Sequence, residues 1–140
     1  MRFWDSSAVV SLLVDEPDSA RRAQQLREDP VPAVWWATAV ECESAIQRRL
    51  REGFIDATGA RTARARLSDL AAAWHEASPT PAVRTLAIRL IRTHPLRAAD
   101  ALQLAAALSL ASALRRQTAF VCSDERLTTA AETEGLPVIR

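Results

Sequence analysis

The sequence predicts a three-layer α/β/α fold with a central parallel sheet of four to five strands, and three observations predict it. Short strand-like runs are separated along the chain by segments of helical period, an order that lays strands side by side in parallel beneath covering helices. The segment from Ala98 to Leu114, AADALQLAAALSLASAL, carries one charge in seventeen residues and is apolar all round, which marks a helix packed inside the protein. Of the 140 residues 49% are apolar, with no repeat, low-complexity run or Gly/Ser linker, so residues 1–140 are expected to form a single domain. A chain of this length buries about two thirds of its unfolded surface and needs no staple to fold.

Each element follows from local signals. Met1 to Asp5 begins a strand, and Ser6 to Val14 and Pro17 to Arg27 read as helices. Val31 to Trp36 is a second strand between Pro30/Pro32 and a polar break. Thr38 to Glu52 is a helix stopped by Gly53, a residue suited to the left-handed turn after a helix. Asp56 to Trp74 carries apolar positions at helical spacing, and His75 to Ser78 is a possible third strand. Pro79 and Pro81 break the chain before a helix over Ala82 to Thr93, which Pro95 ends. Arg97 to Arg115 is the buried helix, and Ala119 to Cys122 a fourth strand. Glu125 to Thr133 is a helix stopped by Gly135, and Leu136 to Ile139 a fifth short strand.

Composition excludes several chemistries. The net charge is +1, so binding to a polyanion has to use local arginine clusters or a bridging cation rather than an overall basic field. Every basic side chain is Arg; without Lys there is no phosphate-binding P-loop and no Schiff-base mechanism. Cys42 and Cys122 fit neither a disulfide framework nor a zinc pair and are expected to be buried thiols in a reducing cytoplasm. Asp5, Asp15 and Glu16 interrupt any N-terminal apolar stretch, which argues against a signal peptide. The 98–114 helix is too short, and with Asp100 and Gln103 too polar, for a membrane span.

Four acids carry the functional signal. Asp5 closes the first strand, Asp124 follows the fourth, Glu41 lies in the first turn of the 38–52 helix, and Asp100 heads an apolar stripe with Leu104, Ala107, Leu108 and Ala111. In parallel sheets ligands bind beyond the carboxyl ends of the strands. Asp5 and Asp124 emerge together at that edge if their strands are neighbours; Glu41 joins them from a helix N-terminus, and Asp100 does so if its helix points the same way. Carboxylates that converge without a basic neighbour repel one another unless a hard cation neutralises them, and oxygen ligands favour Mg2+ or Mn2+ over zinc.

Structural roles compete at each position. Asp124 also fits a helix N-cap before Glu125-Arg126-Leu127, Thr38 and Glu41 fit a capping box, and Asp5 fits a turn acid ahead of Ser6 and Ser7. Asp100 can be structural only if an arginine such as Arg84, Arg89 or Arg92 pairs with it. His75 and His94 lack ligand spacing and read as surface or packing residues. Trp35 and Trp36 alternate, one indole inward and one outward. Glu43, two residues from Glu41, points elsewhere on its helix and is left out of the site.

The segments WDSSAVVSLLVDEP, TAVECESAIQRRLREG, LRAADALQLAAAL and FVCSDERLTTAAETEG, in this order, resemble the signature regions of PIN-domain ribonucleases, particularly VapC-type toxins of toxin–antitoxin systems. The likeness covers nearly the whole chain. It implies a PIN-like fold and metal-dependent cleavage of RNA by a metal-activated water, with Asp5, Asp100 and Asp124 as direct ligands of Mg2+ or Mn2+. Glu41 is implied as a further ligand, direct or through water, and Ser7 and Ser123 as hydrogen-bonding support. Arg48, Arg49, Arg51, Arg97 and Arg126 flank the acids and are candidates to hold RNA phosphates. The resemblance also implies a homodimer silenced by a cognate VapB-like antitoxin, with the 98–114 helix and Trp35/Trp36 as candidate contact surfaces. A PIN nuclease of RNA processing outside any toxin pair and a catalytically silent PIN-like binding module are the alternatives. A phosphoacceptor receiver domain also gathers acids at strand ends, but it normally needs a lysine that this chain lacks.

Overall fold

Five parallel strands form one sheet in the order β3-β2-β1-β4-β5 in the computed structural model, which describes residues 1–140. The strands are β1 (Phe3–Trp4), β2 (Ala33–Trp35), β3 (His75–Ala77), β4 (Phe120–Val121) and β5 (Val138–Ile139). The helices are α1 (Ser6–Leu13), α2 (Ser19–Glu28), α3 (Thr38–Arg51), α4 (Ala57–Ala71), α5 (Pro81–Thr93), α6 (Ala98–Leu114) and α7 (Glu125–Thr133). The predicted α/β class and all five strands are present. The chain builds outward from β1 through β2 to β3, then returns to lay β4 on the other side of β1. Phe3 registers with Phe120 and Trp4 with Val121, so β1 and β4 are the neighbours that the acid-edge reading requires. The reversal of strand order falls between them, and a crevice opens beyond strand ends at such a point.

Alternation along the strands makes two cores. Phe3, Ala33 and Phe120 face α5, α6 and α7, where they pack with Val83, Leu90, Leu104 and Leu127. Trp4, Val34 and Val121 face α1, α3 and α4, packing with Val9, Ile46 and Ala63. The Phe3 and Phe120 rings stack with centroids 5.9 Å apart. Small residues at Ala101, Ala105, Ala106 and Ala107, all buried, let α6 lie close to both the sheet and α5.

Local signals behave largely as the sequence suggests. Gly53 and Gly135 follow α3 and α7 with φ of +78° and +87°, the left-handed conformation that ends a helix at little cost for glycine. The fifth helix starts at Pro81, not Ala82, because Thr80 caps it through a 3.3 Å bond from Val83 N and a proline fits the first helical position. Trp35 is buried and Trp36 is 56% exposed, as alternation requires. Both cysteines are buried and free, and burial pushes the Cys42 thiol up to about 12. One expectation fails: α6 is buried only from Ala101 to Ala107, and its last turn emerges at the surface, where Leu114 is 37% exposed. No helix is long and apolar enough to cross a membrane.

Candidate active site

Asp5 and Asp124 occupy equivalent places, each ending the turn that links a strand to the helix after it. Asp5 caps α1: its Oδ2 accepts from Ser7 N at 2.9 Å and from the Ser7 hydroxyl, while its Oδ1 accepts no hydrogen bond. Asp124 caps α7, with Oδ1 accepting from Leu127 N at 2.9 Å. The capping roles are therefore real, but each uses a single carboxylate oxygen. Glu41 projects from the first turn of α3 and Asp100 from the first turn of α6. All four acids line one cleft of about 760 Å³ at the carboxyl edge of the sheet, together with Ser7 and Ser123.

The four acids of the cleft are compensated only in part. None of the four acids forms a salt bridge. Burial pushes the Asp5 carboxyl above the ordinary range; hydrogen bonds from Ser7 and the Cys122 thiol pull it part-way back, and the charge of Asp100 pushes it further up. Glu41 is raised by burial against hydrogen bonds from Ser6 and Gln103, with repulsion from Asp5 and Asp100 added. Asp100 is raised by burial and by Asp124, and the charges of Arg97 and Arg126 relieve it only in part. Carboxylates whose pKa values are raised by burial and by one another, gathered in a cleft, are a recognised mark of a functional site.

No three acidic, histidine or cysteine side chains yet stand close enough to close around one ion. A preformed cage is what structural zinc sites show, whereas Mg2+ usually keeps several waters and is seldom enclosed by a dedicated all-protein cage. The donors here are all oxygen, they repel one another, and one oxygen of Asp5 is free. The residues fit a hydrated hard cation.

The sequence matches the family described as the PIN domain over residues 2–132. The chain belongs to the PIN-domain family. No curated protein matches it by sequence. Among solved structures, PAE2754 from Pyrobaculum aerophilum is similar at 18% identity with a TM-score of 0.69, covering 98% of this chain and 89% of that one. A chain of a toxin–antitoxin complex from Klebsiella pneumoniae is similar at 14% identity and a TM-score of 0.66, over 100% of this chain and 97% of that one. VapC20 of Mycobacterium tuberculosis, described as a sarcin–ricin-loop-cleaving toxin, is similar at 15% identity and a TM-score of 0.68, over 93% and 95% of the two chains. At these identities the likeness is one of fold.

Several details of this PIN domain differ from what the sequence suggests. Asp5, only 5% exposed, is the deeply buried acid, whereas Asp100 is half-buried because its turn of α6 lies at the mouth of the cleft. The Thr38–Glu41 capping box does not form: Ala37 caps α3, Thr38 is buried inside the first turn, and Glu41 turns to Gln103 instead. None of Arg84, Arg89 and Arg92 pairs with Asp100, and Arg89 bonds Glu134 in company with His94. Glu43 turns away to Arg64 at 2.7 Å. The candidate phosphate ligands divide. Arg48 is exposed and lines the cleft; Arg49 lines it but is ion-paired to Glu16; Arg51, Arg97 and Arg126 are exposed outside its lining.

Sequence reasoning missed three further contributors to the site. Glu16 and Asp18 also line the cleft, brought there by the turn between α1 and α2. Gln103, buried on α6, donates to Ser6 Oγ, to Thr38 Oγ1 at 3.3 Å and to Glu41 Oε2 at 3.1 Å. It sits three residues after Asp100, and a polar side chain inside an otherwise apolar helix was the signal available. Replacing Gln103 with Leu is expected to cost about 1–3 kcal/mol, because three acceptors lose their donor. Urea unfolding measures it, and a change within a few tenths of a kcal/mol would contradict the role.

Proposed function

We propose that this PIN domain is a metal-dependent endoribonuclease and the toxin of a VapBC-type pair, held inactive by a cognate VapB-like antitoxin in the cytoplasm and assembled as a homodimer. The observation that carries the reading is the convergence of Asp5, Glu41, Asp100 and Asp124 on one cleft with no salt bridge to any of them. Such an arrangement is costly unless a cation is part of the working state. Asp5, Asp100 and Asp124 are the direct ligands for Mg2+ or Mn2+ in this account, with Glu41 completing the set directly or through water. The bound ion lowers the pKa of a water and offsets phosphate charge.

The chain's own residues do the rest. Ser7 fixes the Asp5 rotamer by donating to Oδ2 from both its backbone and its hydroxyl, which leaves Oδ1 free of hydrogen bonds and available to a cation. Gln103 holds Glu41 toward the cleft. Arg48, exposed on the cleft wall, is the arginine best placed to meet an RNA phosphate; Arg49 can do so only by leaving Glu16, and Arg97 and Arg126 act on strands that extend past the cleft. Fold neighbours that include a toxin–antitoxin complex and a toxin that cleaves a ribosomal RNA loop support the partner and the substrate class.

Controlled expression in a bacterium tests the toxin role. The wild-type chain is expected to arrest growth and to generate new RNA 5′-phosphate ends, Asp100→Asn to do neither, and co-expression of a small antitoxin gene, if one is found beside its own, to restore growth. Unchanged growth with new RNA ends would assign the enzyme to RNA processing instead, and intact RNA would count against the nuclease reading.

A further inference from the structure

Arg22 is the largest charged side chain in the interior, and nothing in the cleft chemistry accounts for it. It lies on α2, is fully buried and does not line the cleft. Its Nη2 donates to the Cys122 carbonyl at 3.1 Å and to Ser123 Oγ at 2.7 Å, and its Nη1 donates to Gln25 Oε1 at 2.9 Å. Nε has no partner, and no carboxylate forms a salt bridge with the guanidinium. Burying a charge on these terms is unfavourable, and an apolar side chain of similar volume would pack on α2 without that penalty. What the guanidinium holds must therefore explain it.

Both groups on Nη2 belong to the turn between β4 and α7, whose last residue is Asp124. Ser123 is exposed there. Its backbone N donates to Ser7 Oγ at 3.1 Å, and that hydroxyl in turn reaches Asp5 Oδ2. One planar fork thus ties α2 to the turn, and through the turn to both strand-end acids.

We propose that Arg22 is a positioning residue that fixes the Cys122–Asp124 turn, so that Asp124 and Asp5 face a common cation. The inference rests on the nuclease reading of the cleft and adds to it the device that sets ligand geometry. It predicts an effect opposite in sign to simple electrostatics. Removing a positive charge beside an acidic site should tighten cation binding, whereas losing the tether should weaken it.

Mn2+ titration followed by electron paramagnetic resonance, on variants shown by circular dichroism to be folded, decides between them. Arg22→Met is expected to weaken Mn2+ binding by roughly 10–100-fold, the range that outer-shell changes produce, and Arg22→Lys to recover part of it. Unchanged or tighter binding in Arg22→Met would overturn the proposal. If that variant does not fold, Ser123→Ala carries the test, since it removes one bond of the same network at an exposed position; unchanged Mn2+ affinity there would overturn it equally. A wild-type chain that binds no Mn2+ would overturn the nuclease reading itself, and the proposal with it.

Discussion

Asp5→Asn is expected to abolish RNA cleavage and yet to melt at a higher temperature than the wild type when no metal is present. Activity should fall by more than the roughly 10–100-fold typical of outer-shell changes, because a proposed direct ligand loses its charge. Stability should move the other way. Asparagine caps a helix as well as aspartate does, and its oxygen can take the same bonds from Ser7. What disappears is a buried charge beside other acids.

The sign follows from linkage. The Asp5, Glu41 and Asp100 carboxyls are all raised in the folded protein, so the folded state binds their protons more tightly than the unfolded chain. Their contribution is fully favourable below the ordinary carboxylate range and is lost as pH rises through the raised folded values. The melting advantage of Asp5→Asn over wild type should therefore widen as pH climbs toward neutrality. Mg2+ should close the gap by stabilising only the wild type, by about 2.7 kcal/mol at a hundred times its dissociation constant. Scanning calorimetry in EDTA and in Mg2+ checks each step. A variant that melts below the wild type at neutral pH without metal would contradict the account.

Phe120→Ala is expected to cost about 3–5 kcal/mol, a large share of the 5–15 kcal/mol that holds a typical domain together. The ring is fully buried on a central strand and stacks on Phe3, the residue registered opposite it. Its removal opens a cavity between the sheet and the α5–α7 layer. Urea denaturation measures the loss, and a value under about 1 kcal/mol would mean that this layer collapses around the gap.

Much of this was legible because the chain's signals are local and agree with one another. Prolines and glycines mark where α3, α5 and α7 start or stop, and helices alternating with apolar runs imply a parallel sheet, whereas the pairing of Phe3–Trp4 with Phe120–Val121 had to be supplied by the structure. The four acids could be placed because strand ends and helix starts share one edge of a parallel sheet. Depth was less legible. Asp100 looked buried because its helix is apolar all round, but the first turn of a helix at a crevice stays open to water. Asp5 looked ordinary because a strand-end acid beside two serines resembles any turn.

Long-range polar contacts were not legible at all. Arg22 reads as one of many arginines on a polar helix, and only its partners a hundred residues away, at Cys122 and Ser123, reveal why it is inside. Gln103 likewise gains its meaning from Ser6, Thr38 and Glu41, which two separate helices, α1 and α3, bring to it. The pairing of Arg49 with Glu16 occupies a candidate phosphate ligand in a way that spacing alone does not reveal.

Cleavage of RNA by the purified protein and its Asp100→Asn variant, with Mg2+, Mn2+ or EDTA, tests the central claim most directly. The account predicts cleavage by the wild type with either metal, none with EDTA, and loss of cleavage in the variant. Cleavage that persists in EDTA or in Asp100→Asn would contradict it.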